Sequence, residues 1–294
     1  MASIGDLMLD VIFYVSNLPQ RGMEQRAQSS LVCPSGDSAN FAVAAVRLGS
    51  PSAVAGKVGS DPAGEALLSL LEQEGVDASE VVVVDGLSGL VVSIVDSSGE
   101  RTMVSHMPRK CLLLPGDLDE RVFNDAFVLH FTGYSLLPEP QRSLILRVVR
   151  SARASGVLTM FDPSPVVEEI PRDVVAEAVE LSSLVLPNEA EYEALLNMGL
   201  RDVLEGKAVV KMGERGCMAP DGSVVQGFRA EPVDPTGAGD AFAAALAVGL
   251  QRGLSLREAC RFANAAASLK VERRGSSIGM PTLGEVLKRL GEGA

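Results

Sequence analysis

The residues best suited to chemistry lie in one short stretch, Asp234-Pro-Thr-Gly-Ala-Gly-Asp240. Its proline and glycines let the backbone turn tightly, and the uncharged residues that follow, Ala241 to Leu250, predict a buried helix. A glycine loop at the start of a buried helix presents free backbone N–H groups and the positive end of the helix dipole, so it is suited to bind an anion. Asp240 adds a carboxylate at the same point.

A carboxylate beside an anion site has two interpretations. It can accept a proton from a hydroxyl while the N–H groups of Gly237, Ala238 and Gly239 stabilise the charge on a transferring phosphoryl group. Alternatively, Asp240 only caps the helix, as an aspartate near a helix start commonly does. The flanking glycines and the charge-free helix favour the chemical interpretation.

The stretch from Asp234 to Phe242, DPTGAGDAF, resembles the C-terminal signature of the PfkB carbohydrate kinase family, and further family motifs follow in order over nearly the whole chain. The resemblance implies a ribokinase-like α/β fold, with a mostly parallel central sheet, helices on both faces and a small β-sheet lid. It also implies that Asp240 is the base, that ATP is the phosphoryl donor and that Mg²⁺ lies near the phosphates. No GxxxxGK[ST] stretch is present, which argues against a P-loop kinase.

Composition narrows the class of protein. Of the 294 residues, 47% are hydrophobic and 22% charged, and no uncharged apolar run reaches the ~18 residues needed to cross a bilayer. The net charge of −12 argues against nucleic acid or an anionic membrane as a partner. The N-terminus lacks the basic segment of a signal peptide, so we expect a cytoplasmic protein. The four cysteines are far apart and predict buried thiols rather than disulfides or a zinc site.

The pattern of apolar segments predicts one α/β domain over residues 1–294. From about residue 116 short apolar strands alternate with amphipathic helices, which is typical of a parallel sheet covered on both faces. Residues 2–16 read as one long strand. Asp61 is expected to cap a helix whose first residue is Pro62.

Strands outside this alternation predict a second, smaller sheet. Residues 26–33 suggest a returning strand, and residues 80–106 hold alternating Val-rich strands. By resemblance the small sheet is the lid, formed by parts of 10–33 and 87–108. Arg101 and His106 lie at its end and can face either the pocket or solvent.

The acceptor site implied by the resemblance uses residues from the N-terminal part of the chain. Asp10 interrupts an apolar strand and is either an edge residue facing water or a ligand contact. Gly36 and Asn40 match family positions at a turn into a helix, whereas Ser35 stands where the family usually has another glycine. Lys57 lies in the second substrate loop by its spacing, although a strand-end lysine more often faces solvent.

Polar side chains follow three strands of the predicted parallel sheet, at the ends where such sheets bind ligands. These are Asp162, Asn188 with Glu191, and Lys211. Asn188 and Glu191 fit a capping box and also resemble the family NxxE motif, which helps hold Mg²⁺ and the nucleotide phosphates through water. Lys211 and Gly213 resemble the strand end and turn beside the nucleotide.

The remaining nucleotide and cation residues come from the C-terminal part of the chain. The resemblance implies that Thr236 and Asn264 bind ATP, with Asn264 nearest the base. In many members the loop at Asp234 and the turn at Gly275 enclose a monovalent cation such as K⁺. Gly279 stands where cation-binding members often have serine.

The functional interpretation is an ATP-dependent sugar kinase, and three alternatives remain. A nucleoside kinase of the same family is the nearest, because the motifs leave the acceptor open. A dinucleotide-dependent dehydrogenase is disfavoured because no GxGxxG follows the first strand. A non-catalytic ligand-binding relative is disfavoured by Asp240 and its glycines. Exposed edges of the lid sheet predict a homodimer formed through the lid.

Overall fold

A computed structural model describes residues 1–292, so the last two residues of the predicted 1–294 domain lie outside the described part. The strands are β1 (Ala2–Ile4), β2 (Met8–Tyr14), β3 (Ser29–Ser35), β4 (Ala53–Gly59), β5 (Asp77–Val84), β6 (Gly89–Val95), β7 (Arg101–His106), β8 (Val128–Thr132), β9 (Leu158–Asp162), β10 (Leu184–Val185), β11 (Val210–Lys211), β12 (Cys217–Met218) and β13 (Val224–Val225). The helices are α1 (Asp37–Arg47), α2 (Pro62–Gln73), α3 (Gly133–Leu136), α4 (Gln141–Ala154), α5 (Arg172–Leu181), α6 (Glu189–Asn197), α7 (Arg201–Leu204), α8 (Ala238–Gln251), α9 (Leu256–Val271) and α10 (Leu283–Glu292).

The central sheet has six strands in the order β10-β9-β8-β1-β4-β5, and all five neighbouring pairs are parallel. Two neighbouring residues of β4 belong to different apolar clusters. Val54 lies in the cluster formed with α1, α2, α8 and α9, and Ala55 lies in the one formed with α4 and α5. Because successive side chains of a strand point to opposite faces, helices cover both sides of the sheet. The predicted α/β class is therefore confirmed. No helix within residues 1–292 is long and apolar enough to span a membrane.

The N-terminal segment departs from the prediction of one strand over 2–16. It forms two strands, with β1 in the central sheet and β2 in the lid. The break lies at Gly5, where φ is 150° and an added Cβ would lie 2.9 Å from Ser38 Oγ. Continuous hydrophobicity could not reveal this break, because both strands are apolar and only the change of sheet separates them.

The lid is a four-stranded sheet in the order β3-β2-β6-β7. Strand β2 runs antiparallel to β3 and parallel to β6, and β6 runs antiparallel to β7. Strand β5, whose C-terminal half lies in the Val-rich region predicted to belong to the small sheet, is instead the edge of the central sheet. The chain therefore enters the lid twice from the central sheet, from β1 into β2 and from β5 into β6.

Helices α8 and α1 each begin a few residues before the apolar run from which they were predicted. Helix α8 starts at Ala238, and its residues from Ala241 to Gly249 are all buried, as its lack of charge predicted. Helix α1 starts at Asp37, so Asn40 lies in its first turn rather than before it. All four cysteines are buried as free thiols, as expected.

The start of α2 depends on Asp61, as predicted. Its carboxylate accepts hydrogen bonds from Gly64 N at 3.0 Å and from Ser88 Oγ at 2.6 Å. Partial burial raises the pKa of Asp61, but the hydrogen bonds from Ser88 and Gly64 outweigh it and hold the pKa below its usual value. The ionised form is therefore the one that stabilises the fold.

We expect Asp61→Ala to lower the free energy of unfolding at pH 7 by about 1–2 kcal/mol, because the cap and the bond to Ser88 are both lost. Urea unfolding measures this, with the exposed Asp125→Ala as the control. The difference from wild type should vanish as the pH falls below 3.8, the usual pKa, and Asp61 takes up a proton. An unchanged midpoint at pH 7 would show that the cap contributes nothing.

Candidate active site

Asp240 lies in the first turn of α8 but does not cap it. The N-cap is Gly237, whose φ of 78° is left-handed, and no side chain accepts a hydrogen bond at this helix start. Asp240 Oδ2 instead accepts a hydrogen bond from Asn40 Nδ2 at 2.8 Å. No side chain caps the first N–H groups of α8, and Ala238 N–H donates to the carbonyl oxygen of Pro235 at 3.1 Å. The N–H groups of Gly237 and Gly239 remain available to an anion. The capping interpretation of Asp240 is therefore wrong.

The surroundings of Asp240 raise its pKa to about 7. Burial is the largest cause, and the Asp162 carboxylate adds to it, whereas the hydrogen bond from Asn40 and the charges of Lys211 and Lys270 act in the opposite direction. A carboxyl group with a pKa near neutrality can both take up and release a proton at physiological pH. The site thus gives Asp240 the acid–base character of a general base.

A cleft of about 800 Å³ separates the lid from the core, and Asp240 lies in its wall. Five other residues predicted for the site share this wall: Asp10, Gly36, Asn40, Thr236 and Gly237. Ser35 and Arg101 also line the cleft. His106 pairs with Leu90 on the opposite face of the lid, so it points away from the cleft. The structure therefore brings residues from β2, α1 and α8 together, although they are distant in sequence.

The lid contributes Asp10 to this cleft. Its side chain is buried, and Oδ1 accepts a hydrogen bond from Ser93 Oγ at 2.9 Å. Burial raises the pKa of Asp10, with the bond from Ser93 and the charge of Arg101 opposing it. Asp10 thus faces the cleft and is not an edge residue in water.

The turn before α1 is shaped by Gly36. Its φ is 86°, and an added Cβ would lie 2.4 Å from the carbonyl oxygen of Asp6, so only glycine fits. Ser35, in place of the usual glycine, ends β3 opposite Met8. Asn40 follows one turn later, and its Oδ1 is buried without a hydrogen-bond partner. Thr236 Oγ1 is buried and unpartnered as well. Buried polar atoms are normally paired, so these two point to a ligand.

Lys57 does not join the cleft wall. Its buried ammonium donates to Asp117 Oδ2 at 2.5 Å and to the carbonyl oxygen of Leu112 at 3.4 Å. The pairing satisfies a buried charge within the protein. The prediction that Lys57 lies near the sugar therefore has no support from this geometry.

The predicted nucleotide residues meet beyond the C-terminal ends of β9, β10 and β11. Asn188 and Glu191 form a complete capping box on α6, with both Glu191 oxygens accepting from Asn188. Lys211 forms an ion pair with Asp162, and its ammonium lies 3.4 Å from where a Cβ on Gly239 would be. Lys211 thus adds a fixed positive charge beside the N-terminus of α8. Gly213 occupies a left-handed turn with open space around it.

Glu191 is suited to hold Mg²⁺ only through water. Burial raises its pKa, the Asp162 carboxylate raises it further, and Lys211 opposes both. Within residues 1–292 no group of three His, Cys, Asp or Glu side chains is arranged to bind a metal directly. Mg²⁺ commonly keeps several waters and takes few protein ligands besides substrate phosphates. The residues present fit a water-mediated ion.

Two further predicted residues serve to hold loops together. Asn264 Nδ2 donates to the carbonyl oxygens of Val225 and Gln226, which fixes the segment after β13 against α9. Asp234 is buried and accepts from Thr236 N and Gly275 N, both at 3.0 Å. Asp234 therefore joins the loop before α8 to the turn after α9.

Sequence reasoning missed Asp37. It lies in the first turn of α1 and lines the cleft, and its pKa is raised well above the usual value by burial, then by the carboxylates of Asp240 and Asp162. Its position three residues before Asn40 carried no distinguishing signal, because an aspartate at a helix start is common. Asp6, Tyr134 and Arg109 also line the cleft and were not predicted to do so.

The chain is similar over nearly its whole length to known sugar kinases. Fructokinase-1 of Zea mays is 31% identical to this chain, covering 98% of it and 96% of that protein. The ribokinase of Lactococcus lactis subsp. lactis is 28% identical, with coverage of 98% and 96%. A protein of Escherichia coli described as a candidate Ribokinase II, solved in complex with ATP and Mg²⁺, superposes with a TM-score of 0.82 at 26% identity, over 99% and 98% of the two chains.

The family model described as pfkB family carbohydrate kinase matches residues 1–283, which include the lid, the acceptor-side turn and the glycine loop. This range and the full-length similarities leave no substantial part of the chain unmatched. The chain belongs to the pfkB family of carbohydrate kinases and is an ATP-dependent sugar kinase.

Proposed function

We propose that Asp240 removes the proton from a sugar hydroxyl that Asp10 and Asn40 hold in the cleft. The hydrogen bond from Asn40 Nδ2 to Asp240 Oδ2 carries this proposal, because it ties an acceptor-side residue directly to the base. The unpartnered Oδ1 of the same asparagine can accept a hydrogen bond from a second hydroxyl. Sugars carry hydroxyls on adjacent carbons, so one hydroxyl can bond to Asp240 while its neighbour bonds to Asn40 Oδ1.

In the proposed reaction the hydroxyl oxygen attacks the γ-phosphorus of ATP as its proton passes to Asp240, and ADP leaves. The N–H groups of Gly237 and Gly239, which no side chain caps, stabilise the charge on the phosphoryl oxygens. The Ala238 N–H joins them only if it gives up its bond to the carbonyl oxygen of Pro235. The Lys211 ammonium lies beside Gly239 and adds positive charge. Phosphoryl transfer depends mainly on positioning and electrostatics, which these groups provide.

We propose that ATP binds along the C-terminal ends of β10 and β11, from Asn188 and Lys211 towards Asn264. Mg²⁺, held through water near Glu191, would neutralise phosphate charge when bound. The Escherichia coli protein solved in complex with ATP and Mg²⁺ supports the choice of these two ligands. At the place expected for the monovalent cation, near Asp234 and Gly275, the ammonium of Lys270 donates to the carbonyl oxygens of Asp234 and Arg273.

The acceptor we propose is a small free sugar of the pentose or hexose class, as in the fructokinase and ribokinase relatives. ADP release should be measured with a panel of such sugars and of nucleosides at one ATP concentration. Turnover with sugars alone supports the proposal. Preference for a nucleoside would replace it with the nucleoside kinase alternative, for which the cleft of about 800 Å³ leaves room.

Removing the base should stop the chemistry without unfolding the protein. We expect Asp240→Asn to lower kcat by about 10²–10⁴-fold, because general-base assistance is lost. The asparagine side chain keeps the size of the aspartate and can still accept from Asn40, so the melting temperature should be nearly unchanged. Nucleotide affinity should hold or rise, since a negative charge near the γ-phosphate is removed.

The exposed Asp221→Asn serves as the matched control and should behave as wild type. The pH profile adds a second measurement: wild-type kcat/KM should fall below about pH 7 as Asp240 takes up a proton, and Asp240→Asn should lose this pH dependence. Turnover of Asp240→Asn within a few-fold of wild type would end the claim that Asp240 is the base.

Asp10 should affect the binding of the sugar and not the binding of ATP. We expect Asp10→Ala to raise the KM for the sugar at least about tenfold while the KM for ATP changes little, because a buried hydrogen-bonding group of the acceptor site is lost. Steady-state kinetics with each substrate varied gives both constants. Ser93→Ala, which leaves the carboxylate in place, should have a smaller effect of the same kind. Equal changes in both constants for Asp10→Ala would place this residue outside the acceptor site.

We propose that two copies of the chain associate through the outer face of the lid, the side away from the cleft. This face carries a continuous set of apolar side chains: Val11, Phe13, Val32, Val92, Ile94 and Val104. Phe13 is 37% exposed, Val32 48% and Val104 73%. A flat apolar sheet face of this kind commonly marks an interface, and a second copy supplies a matching surface by two-fold symmetry.

A charge on this face should separate the copies. We expect wild type to elute with the mass of a dimer and Val104→Lys with the mass of a monomer, measured by light scattering during size exclusion. Val83→Lys is the matched control, since Val83 is 53% exposed on β5 of the central sheet, and it should leave the dimer intact. A monomeric wild type would refute the proposal.

A further inference from the structure

A positive charge is buried next to the glycine loop. Lys270 lies in the last turn of α9 with none of its side chain exposed, and it is among the largest fully buried side chains. Lysine is almost never fully buried unless its charge is compensated. This lysine therefore needs an explanation that ordinary packing does not supply.

The contacts of Lys270 are backbone carbonyl oxygens. Its Nζ donates to the carbonyl oxygen of Asp234 at 3.2 Å and to that of Arg273 at 3.3 Å. These atoms belong to the two segments expected to enclose K⁺, the loop before α8 and the turn after α9. Carbonyl oxygens are also the ligands that replace water around K⁺ in proteins. The ammonium thus lies among the kind of atoms that the cation would need.

The absence of a side chain at Gly279 makes room for the side chain of Lys270. A Cβ on Gly279 would lie 3.0 Å from Lys270 Cε, 3.2 Å from Lys270 Nζ and 3.1 Å from the carbonyl oxygen of Arg274. A serine here, as in cation-binding members, would be in tight contact with the lysine and would require it to shift by a few tenths of an ångström. Gly279 therefore leaves room for the lysine side chain and removes a hydroxyl ligand of the ion.

The nearby charges already balance with the lysine in place. Asp234 is buried, and each of its carboxylate oxygens accepts a backbone N–H, from Thr236 and from Gly275. Burial lowers the pKa of Lys270 to about 8, with Asp234 opposing the shift, so the side chain is mostly protonated at neutral pH. The charge of Arg101 also acts against Lys270 and that of Asp240 in its favour. K⁺ beside this ammonium would add a further positive charge next to Asp234, whose carboxylate oxygens both have partners already. The residues present do not fit a monovalent cation.

We infer that the Lys270 ammonium takes the place of the monovalent cation, ordering the loop from Asp234 to Gly237 so that the kinase works without K⁺. Lys270 is a positioning residue, because it bonds to the carbonyl oxygens of Asp234 and Arg273 and does not line the cleft. Its charge also lowers the pKa of Asp240 from a distance. The inference rests on the sugar kinase activity described above, and the melting temperatures below test it independently of that activity.

The first test is a cation titration of the wild-type protein. Turnover and melting temperature are measured in KCl, NaCl and choline chloride at fixed ionic strength. We expect both to be the same in the three salts, within about twofold for turnover. A severalfold activation by KCl over choline chloride overturns the inference, and this outcome does not depend on any variant folding.

The second test uses Lys270→Ala, which removes the ammonium and leaves space for a cation beside the carbonyl oxygens of Asp234 and Arg273. We expect kcat in choline chloride to fall about tenfold or more while the KM for the sugar changes little, because the loop that stabilises transferring charge is displaced. KCl or methylammonium chloride should restore part of the activity and raise the melting temperature of this variant only. Lys270→Met, which fills the space without a charge, should lose activity without being restored.

Lys207→Ala is the matched control, because Lys207 Nζ also donates to two carbonyl oxygens, those of Val179 at 3.2 Å and Glu180 at 3.4 Å, far from the cleft. It should show neither the loss of kcat nor any response to K⁺. Wild-type kcat for Lys270→Met in choline chloride would refute the inference. So would a folded Lys270→Ala that neither K⁺ nor methylammonium restores or stabilises.

Discussion

The hydrogen bond between Asn40 and Asp240 joins the two helices on which the site is built. Asn40 lies in the first turn of α1 and Asp240 in the first turn of α8, and both helices bury runs of small side chains, Ala42 to Ala45 and Ala243 to Ala245. Small residues allow the helices to approach closely, and close packing then holds their N-termini in one place. An acceptor-side amide, a carboxylate and the free N–H groups of a helix start are thereby positioned together without a flexible link.

The charges around this contact depend on one another. Burial raises the pKa of both Asp37 and Asp240, and the carboxylate of Asp162 raises the two values further. Lys211 and Lys270 supply positive charge on either side of the glycine loop. The result is a carboxyl group whose pKa lies near neutrality, at a helix start of the kind that attracts phosphate. Each lysine therefore affects both the local structure and the acid–base behaviour of Asp240.

The lid completes the cleft from a different sheet. The chain leaves β1 of the core at Gly5 and enters β2 of the lid within a few residues, so Asp10 is linked to the core by a short, tightly packed segment. Asn40 and Asp240 belong to the core. A sugar bound between them and Asp10, as we propose, would contact the core and the lid at once, so the position of the lid would affect its binding.

The sequence alone determined the α/β class, the glycine loop with its charge-free helix and the helix start at Asp61, because these depend on local composition and periodicity. It also indicated the family, through motifs whose residues lie close together in the chain. It could not separate β1 from β2, since both are apolar, nor show that Lys57 pairs with Asp117, which is distant in the chain. Only the tertiary structure decided that Asp240 bonds to Asn40 instead of capping α8, and that Lys270 lies among the carbonyl oxygens beside Asp234. Such pairings depend on which surfaces meet when the helices pack, and no pattern along the chain records that.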